Sequence, residues 1–247
     1  MNRLSKDQDG TIRTENIMRR PDVTEGGFTL VEIIVAVAIL AIMSAALAPM
    51  VVKYVQDGRR ARAASDSSTI AQSVIAFQLD VGRWPVSSDA NPNDNGELVR
   101  LVGRASPVPD AGMPGACAGA PGGAGNWGTL GNNNTQGALE DLLIMNSDFN
   151  TAQLYPPSAN PALNPGWNGP YVPMIPVDPW GNPYVVNARY FDGSGNVGAA
   201  VEATHAVFVL SAGQDGCWST SFADGTALAS NGLGGDDIGS LVEGNTQ

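Results

Sequence analysis

Histidine occurs once in this 247-residue chain, cysteine twice, and lysine and arginine together 13 times. Each scarcity removes a class of function. His205 and two cysteines a hundred positions apart, Cys117 and Cys217, cannot supply a clustered His/Cys zinc site. Thirteen basic residues against 24 acidic leave a net charge of −11, so no nucleic-acid partner is expected, because phosphate binding needs clustered cations. From Glu202 onward there are six acidic residues and no basic one, which reads either as a solvated face or as a cation-binding surface. No Ser/His/Asp or paired-acid arrangement stands out, and the chain does not read as an enzyme. Gly (30) and Pro (17) make it loop-rich, while 43% hydrophobic residues suffice for a core.

The longest absence is of charge. Between Glu32 and Lys53 lie twenty uncharged residues, Ile33 to Val52. At about 1.5 Å per residue a helix of them spans about 30 Å, the hydrocarbon thickness of a bilayer. A cleaved secretory signal would use Ala46-Leu47-Ala48, but Pro49 would then follow the cut and the apolar run continues past it. An ordinary anchor leaves Glu32 unexplained, since a carboxylate entering lipid is costly and calls for a partner. Residues 1–27 carry five basic and five acidic residues without apolar periodicity, and read as a disordered tail.

The segment Gly26-Gly27-Phe28-Thr29-Leu30-Val31-Glu32 resembles the type IV prepilin family, which includes the pseudopilins of type II secretion. Gly27, Phe28 and Glu32 match the family's order and spacing, and Pro49 matches its proline twenty-one positions after the Phe. The resemblance implies cleavage by a prepilin peptidase between Gly27 and Phe28 on the cytoplasmic side, and N-methylation of Phe28. It also implies an assembly role for Glu32, neutralised by the Phe28 amine of a neighbouring subunit. Translation from Met18 instead of Met1 would leave a ten-residue leader beginning Met18-Arg19-Arg20.

Beyond Lys53 the chain turns polar but keeps a helical stripe, with Ile70, Val74 and Phe77 at i, i+4 and i+7 and Ala63 two turns earlier. A helix from Phe28 to about Leu79 would run about 78 Å, with a kink or local melting at Pro49 and a weak point at Gly58. The expected organisation is a leader over 1–27, removed; a transmembrane half-helix over 28–52; an amphipathic half over 53–82; and an extracytoplasmic head over 83–247. A Gly/Pro/Asn-rich insertion occupies about 86–136, mostly loop, with a brief apolar patch at Leu98–Val102. Gly137–Met145 reads as a short helix. Strand signals fall on Tyr184–Val186 and Ala206–Leu210, with a turn at Asp192–Gly195. The expected fold is therefore α+β: a pilin-type long helix packed on a small antiparallel sheet of about three strands.

In the head the resemblance narrows to the major (G-type) pseudopilin of type II secretion. It rests on Gly82-Arg83-Trp84-Pro85, Gly137-Ala138-Leu139-Glu140-Asp141-Leu142, Trp167-Asn168-Gly169-Pro170-Tyr171 and Asp178-Pro179-Trp180-Gly181-Asn182-Pro183-Tyr184. Asp178-Pro179-Trp180-Gly181 has good turn chemistry and reads as structural. Ser211–Gly216 and Asp236–Gly239 resemble the subfamily's C-terminal calcium loop. That likeness implies carboxylates from Asp215, Asp236 and Asp237 and carbonyls from Ala212 and Ile238, oxygen donors that suit calcium. About twenty residues separate Asp215 from Asp236, longer than in the family, and Ser240-Leu241 replaces its aromatic ending. Cys117 and Cys217 would both be extracytoplasmic, where oxidation is permitted, and a disulfide between them would pin the insertion beside that loop.

The function these readings point to is structural. The chain resembles the major pseudopilin, a homopolymer in the periplasmic pseudopilus of a type II secretion system, anchored single-pass in the bacterial inner membrane with its N-terminus cytoplasmic. Its implied partners are further copies, minor pseudopilins, an inner-membrane assembly platform and the prepilin peptidase. The alternative is a type IV pilin or minor pilin of a surface filament, and a third reading is an anchored enzyme or binding module.

Overall fold

The computed structural model describes residues 4–6, 12–14, 27–86, 98–103, 113–121, 123–128, 135–147, 155, 166–192, 205–222 and 233–243. The chain forms two compact units, Met1–Val52 and Lys53–Gln247. In the first, β1 (Leu4–Lys6) pairs antiparallel with β2 (Ile12–Thr14), where the sequence predicts disorder. Balanced charge denies this segment a core, but a short two-stranded ladder is held by backbone hydrogen bonds and needs no apolar stripe.

Helix α1 covers Leu30–Val81 without interruption. Thr29 caps it: its Oγ1 accepts the Glu32 N–H at 3.2 Å, half of a Thr-x-x-Glu capping box. The helix does not melt at Pro49, where a kink or local melting is expected, and it also continues through the weak point at Gly58. Proline removes one backbone donor, but helices of apolar residues tolerate that loss without breaking.

The second half of α1 turns Ala63, Ser67, Ile70, Ala71, Ser73, Val74 and Phe77 inward, completing the predicted stripe with small polar residues. Those polar residues are satisfied. Ser67 Oγ lies 3.1 Å from Ser240 Oγ, and Ser73 Oγ donates to the Thr69 carbonyl at 2.8 Å. Phe77 is fully buried, edge-on to Tyr155 at 4.8 Å and Tyr171 at 5.5 Å. Phe77→Ala should therefore destabilise the head by about 3–5 kcal/mol in urea unfolding, the range for emptying an aromatic site. A loss under about 1 kcal/mol would mean the helix is held by something other than this face.

The sheet is mixed, with five strands, where the sequence predicts about three, all antiparallel. Its order is β4 (Thr135–Ala138), β3 (Leu98–Val102), β5 (Val185–Val186), β6 (Val207–Ser211), β7 (Ile238–Glu243). β3 and β4 are parallel; every other pair is antiparallel. The two extra features have separate causes. β3 comes from the apolar patch in the insertion, so part of the stretch expected to be loop belongs to the sheet. β4 takes Gly137 and Ala138 from the segment expected to be helical, and the helix follows from Leu139 on, ending in the π-helical turn Asp141–Met145. β7 carries Gly239 and Ser240, poor strand formers, but an added Cβ at Gly239 would collide with the Val209 carbonyl oxygen, so close pairing with β6 requires glycine there. β3 and β6 are buried on both faces and therefore show no apolar–polar alternation.

Arg100 lies within β3 and is fully buried. Its guanidinium donates to the Trp127 carbonyl at 2.9 Å and to the Gln136 side chain, joining β3, β4 and the 3-10 turn Ala124–Trp127. The turn predicted at Asp192–Gly195 lies, beyond Asp192, outside the described residues.

Candidate functional site

Two regions carry the residues singled out from the sequence. At the N-terminal one, Gly27 and Phe28 lie ahead of the helix and Phe28 is 77% exposed. Glu32 occupies the first turn of α1 and is exposed. Its backbone N–H is taken by Thr29, but its carboxylate has no partner among the described residues. The helix surface that follows, from Ile33 through Val52, is apolar and exposed throughout. Among the described residues this is the one helix long and apolar enough to cross a membrane, as a single-pass anchor would. Thr29 is the functional neighbour that sequence reasoning passed over; the Thr-x-x-Glu spacing is the signal that finds it.

The C-terminal region brings together Asp215, Asp236 and Asp237, which the sequence holds twenty residues apart. Gly213, at φ 68°, turns the chain after β6, and an added Cβ there would strike the backbone of Asp236. The backbone of the 214–220 loop then clasps the two neighbouring carboxylates. Asp236 Oδ2 accepts the N–H groups of Gln214 at 2.7 Å and Asp215 at 3.1 Å. Asp237 Oδ2 accepts those of Ser219 at 3.0 Å and Thr220 at 2.7 Å. Asp215 Oδ1 accepts the Cys217 N–H at 3.0 Å. Ala212 is buried directly after β6, and Ile238 opens β7 opposite Ser211, so both expected carbonyl donors flank the three acids in the chain.

One oxygen of each neighbouring acid is left over. Asp236 Oδ1 and Asp237 Oδ1 are buried and without a hydrogen-bond partner among the described residues. No lysine or arginine forms a salt bridge with the three acids among the described residues; Arg62 on α1 pairs instead with Asp66. Burial pushes the Asp237 carboxyl up to about 6, against the stabilising hydrogen bonds from Thr220 and Ser219. Asp215 is also raised, first by burial and then by Asp236 beside it. Asp237 is buried, Asp236 half-buried and Asp215 exposed, and the orphaned carboxylate oxygens of Asp236 and Asp237 are donors of the kind a hard cation such as calcium takes. A shallow cleft of about 430 Å³ opens there, between Arg60, Ala61 and Ala64 of α1 and residues 235–238.

Cys117 and Cys217 are joined in a disulfide, Cα–Cα 5.0 Å, with no free cysteine in the chain. Their sulfurs cluster with Asp215, but bonded to each other they offer no thiolate to a metal. Asp178 is buried and has a wholly structural role. Its Oδ1 accepts the N–H groups of Trp180 and Asn182 at 3.0 and 2.7 Å, and its Oδ2 accepts the Ser211 hydroxyl at 2.6 Å.

No curated protein and no solved structure matches the chain. The Prokaryotic N-terminal methylation motif matches residues 24–48, the stretch that contains Gly27, Phe28, Glu32 and most of the apolar run. The match is to this N-terminal signal, and beside it stand one long apolar helix among the described residues and an α+β arrangement of helix and mixed sheet consistent with the pilin fold.

Proposed function

We propose that this chain is a major pseudopilin, the structural subunit of the periplasmic pseudopilus of a type II secretion system. The observation that carries the reading is Glu32: a carboxylate without a side-chain partner among the described residues, at the head of an exposed apolar helix, inside the matched methylation motif. In this proposal a prepilin peptidase cuts between Gly27 and Phe28, discarding 1–27, and Phe28 is N-methylated. Cutting in front of the apolar segment leaves it attached, first as an inner-membrane anchor over 28–52, later as filament core. The Phe28 amine of one subunit neutralises Glu32 of the next, so the charge that is costly in lipid becomes the register mark of the polymer. Minor pseudopilins and an inner-membrane platform complete the assembly, and energy comes from outside this chain.

The clasped acids favour the secretion reading over other filaments. Asp215, Asp236 and Asp237, with the carbonyls of Ala212 and Ile238, would hold calcium, which supplies a hard positive centre that neutralises the carboxylates. The second reading, a type IV pilin or minor pilin of a surface filament, is favoured by the insertion, whose folded part enlarges the head.

Both readings require a mature protein beginning at N-methyl-Phe28, and Gly27→Leu should leave the leader uncut. Mass spectrometry of the N-terminal peptide decides this; a mature start elsewhere ends both. Immunogold labelling then separates them, with periplasmic filaments expected and cell-surface filaments assigning the chain to the second.

A further inference from the structure

The insertion has a definite place beside the acidic loop. Residues 114–118 run parallel to the segment around Trp218, with Ala116 bridged to it. Cys117 N–H donates to the Trp218 carbonyl at 2.9 Å, and Trp218 N–H to the Gly115 carbonyl at 2.8 Å. The Trp218 indole donates to the Pro114 carbonyl at 2.9 Å, and the Trp127 indole to the Thr220 carbonyl at 3.0 Å. The two indoles lie 5.7 Å apart in the core, and both are fully buried.

The braced segment is the one that holds the acids. Thr220 and Ser219 give their N–H groups to Asp237, and Cys217 gives its own to Asp215. The disulfide meets this segment at the same place: Cys117 Sγ is 3.4 Å from Asp215 Oδ2 and accepts the Ser219 hydroxyl at 3.1 Å. The connection from Asp215 to Asp236 runs through some twenty residues, and a long connection alone brings its ends together weakly.

We infer that segments 114–121 and 123–127 of the insertion, with the Cys117–Cys217 disulfide, form a brace that pre-organises Asp215, Asp236 and Asp237 for a divalent cation, so that cation affinity depends on the disulfide. The inference rests on the calcium reading above. The brace performs the ordering that a short loop would otherwise perform, and the cation meets carboxylates already in place. Linkage makes the effect reciprocal: a bound cation must protect the disulfide by the factor by which the disulfide tightens the cation.

The test uses the full chain purified in detergent, with calcium chloride as the probe. Calorimetric titration should show binding to the oxidised protein, lost in Asp236→Asn/Asp237→Asn. Binding should be weaker by about 10- to 100-fold in Cys117→Ser/Cys217→Ser, the scale of lost pre-organisation. Trp127→Phe, which keeps the disulfide but removes the Thr220 contact, should weaken it less. The second measurement needs no variant. The wild-type disulfide is equilibrated with dithiothreitol, which is oxidised to its cyclic disulfide as two cysteine thiols form, with and without saturating calcium. Calcium should shift the reduction equilibrium toward the disulfide by the same factor. Equal calcium affinity in folded oxidised and Cys117→Ser/Cys217→Ser proteins, or a reduction equilibrium indifferent to calcium, overturns the brace while leaving the site. No calcium binding to oxidised wild type overturns the calcium reading itself.

Discussion

Glu32→Ala should abolish filament assembly while leaving the chain in the membrane. The substitution removes the acid and leaves each neighbouring Phe28 amine buried against hydrocarbon. Breaking a buried pair by deleting one partner costs about 3–5 kcal/mol, which is a factor of about 100 or more in every subunit addition. Because a polymer repeats the contact at each step, partial assembly is not expected. Anchoring should persist, since Ile33–Val52 is untouched and the helix loses no apolar surface. The Thr29 cap should also survive, because it binds the backbone N–H of position 32 and not its side chain. The measurement is a comparison of sheared or overexpressed filaments with membrane-bound subunit, by sedimentation and microscopy. Normal filaments from the alanine variant would remove the salt link from the assembly scheme. Glu32→Gln separates charge from shape: it should fail as well, because the amide fills the same space without neutralising the amine.

The second large effect is on the stability of the head. Cys117→Ser/Cys217→Ser opens a crosslink with a sequence separation of 100. In the chain-entropy view that crosslink contributes about 4–5 kcal/mol by restricting the unfolded chain. For a protein of this size the melting temperature should fall by about 10–20 °C. The double variant is the right comparison, because a single serine would leave a reactive thiol beside Asp215. A fall of less than about 3 °C would mean that the buried Trp127 and Trp218 already hold the insertion without covalent help. In that case the insertion is packed rather than tied.

Local order along the chain was readable wherever one residue's neighbours in sequence are its neighbours in space. The helix is such a case. Twenty uncharged residues and the Ala63–Phe77 stripe define its span and its buried face, because helical contacts are made within four positions. The Gly27–Phe28–Glu32 spacing is another, and so are the β5 and β6 runs, which carry enough apolar β-formers to be recognised unaided. The sheet was only partly legible. β3 hides an arginine at its centre that becomes tolerable only when Trp127 and Gln136 provide oxygens for it. β7 hides Gly239 and Ser240, which suit a strand only because β6 approaches so closely.

The acidic loop divides the same way. Aspartates at 215, 236 and 237 are visible as oxygen donors in the sequence. That Asp236 and Asp237 each have one oxygen occupied by backbone amides and the other buried and unmatched is visible only in three dimensions.

The sequence alone determined the long apolar helix, the methylation motif ahead of it and the buried face of the helix, since each depends on contiguous residues and short-range spacing. The tertiary structure alone decided the mixed five-stranded sheet, the docking of the insertion and the meeting of Asp215 with Asp236. These are pairings between distant segments, and their stability depends on which surfaces exclude water and satisfy backbone polar groups once the chain has closed.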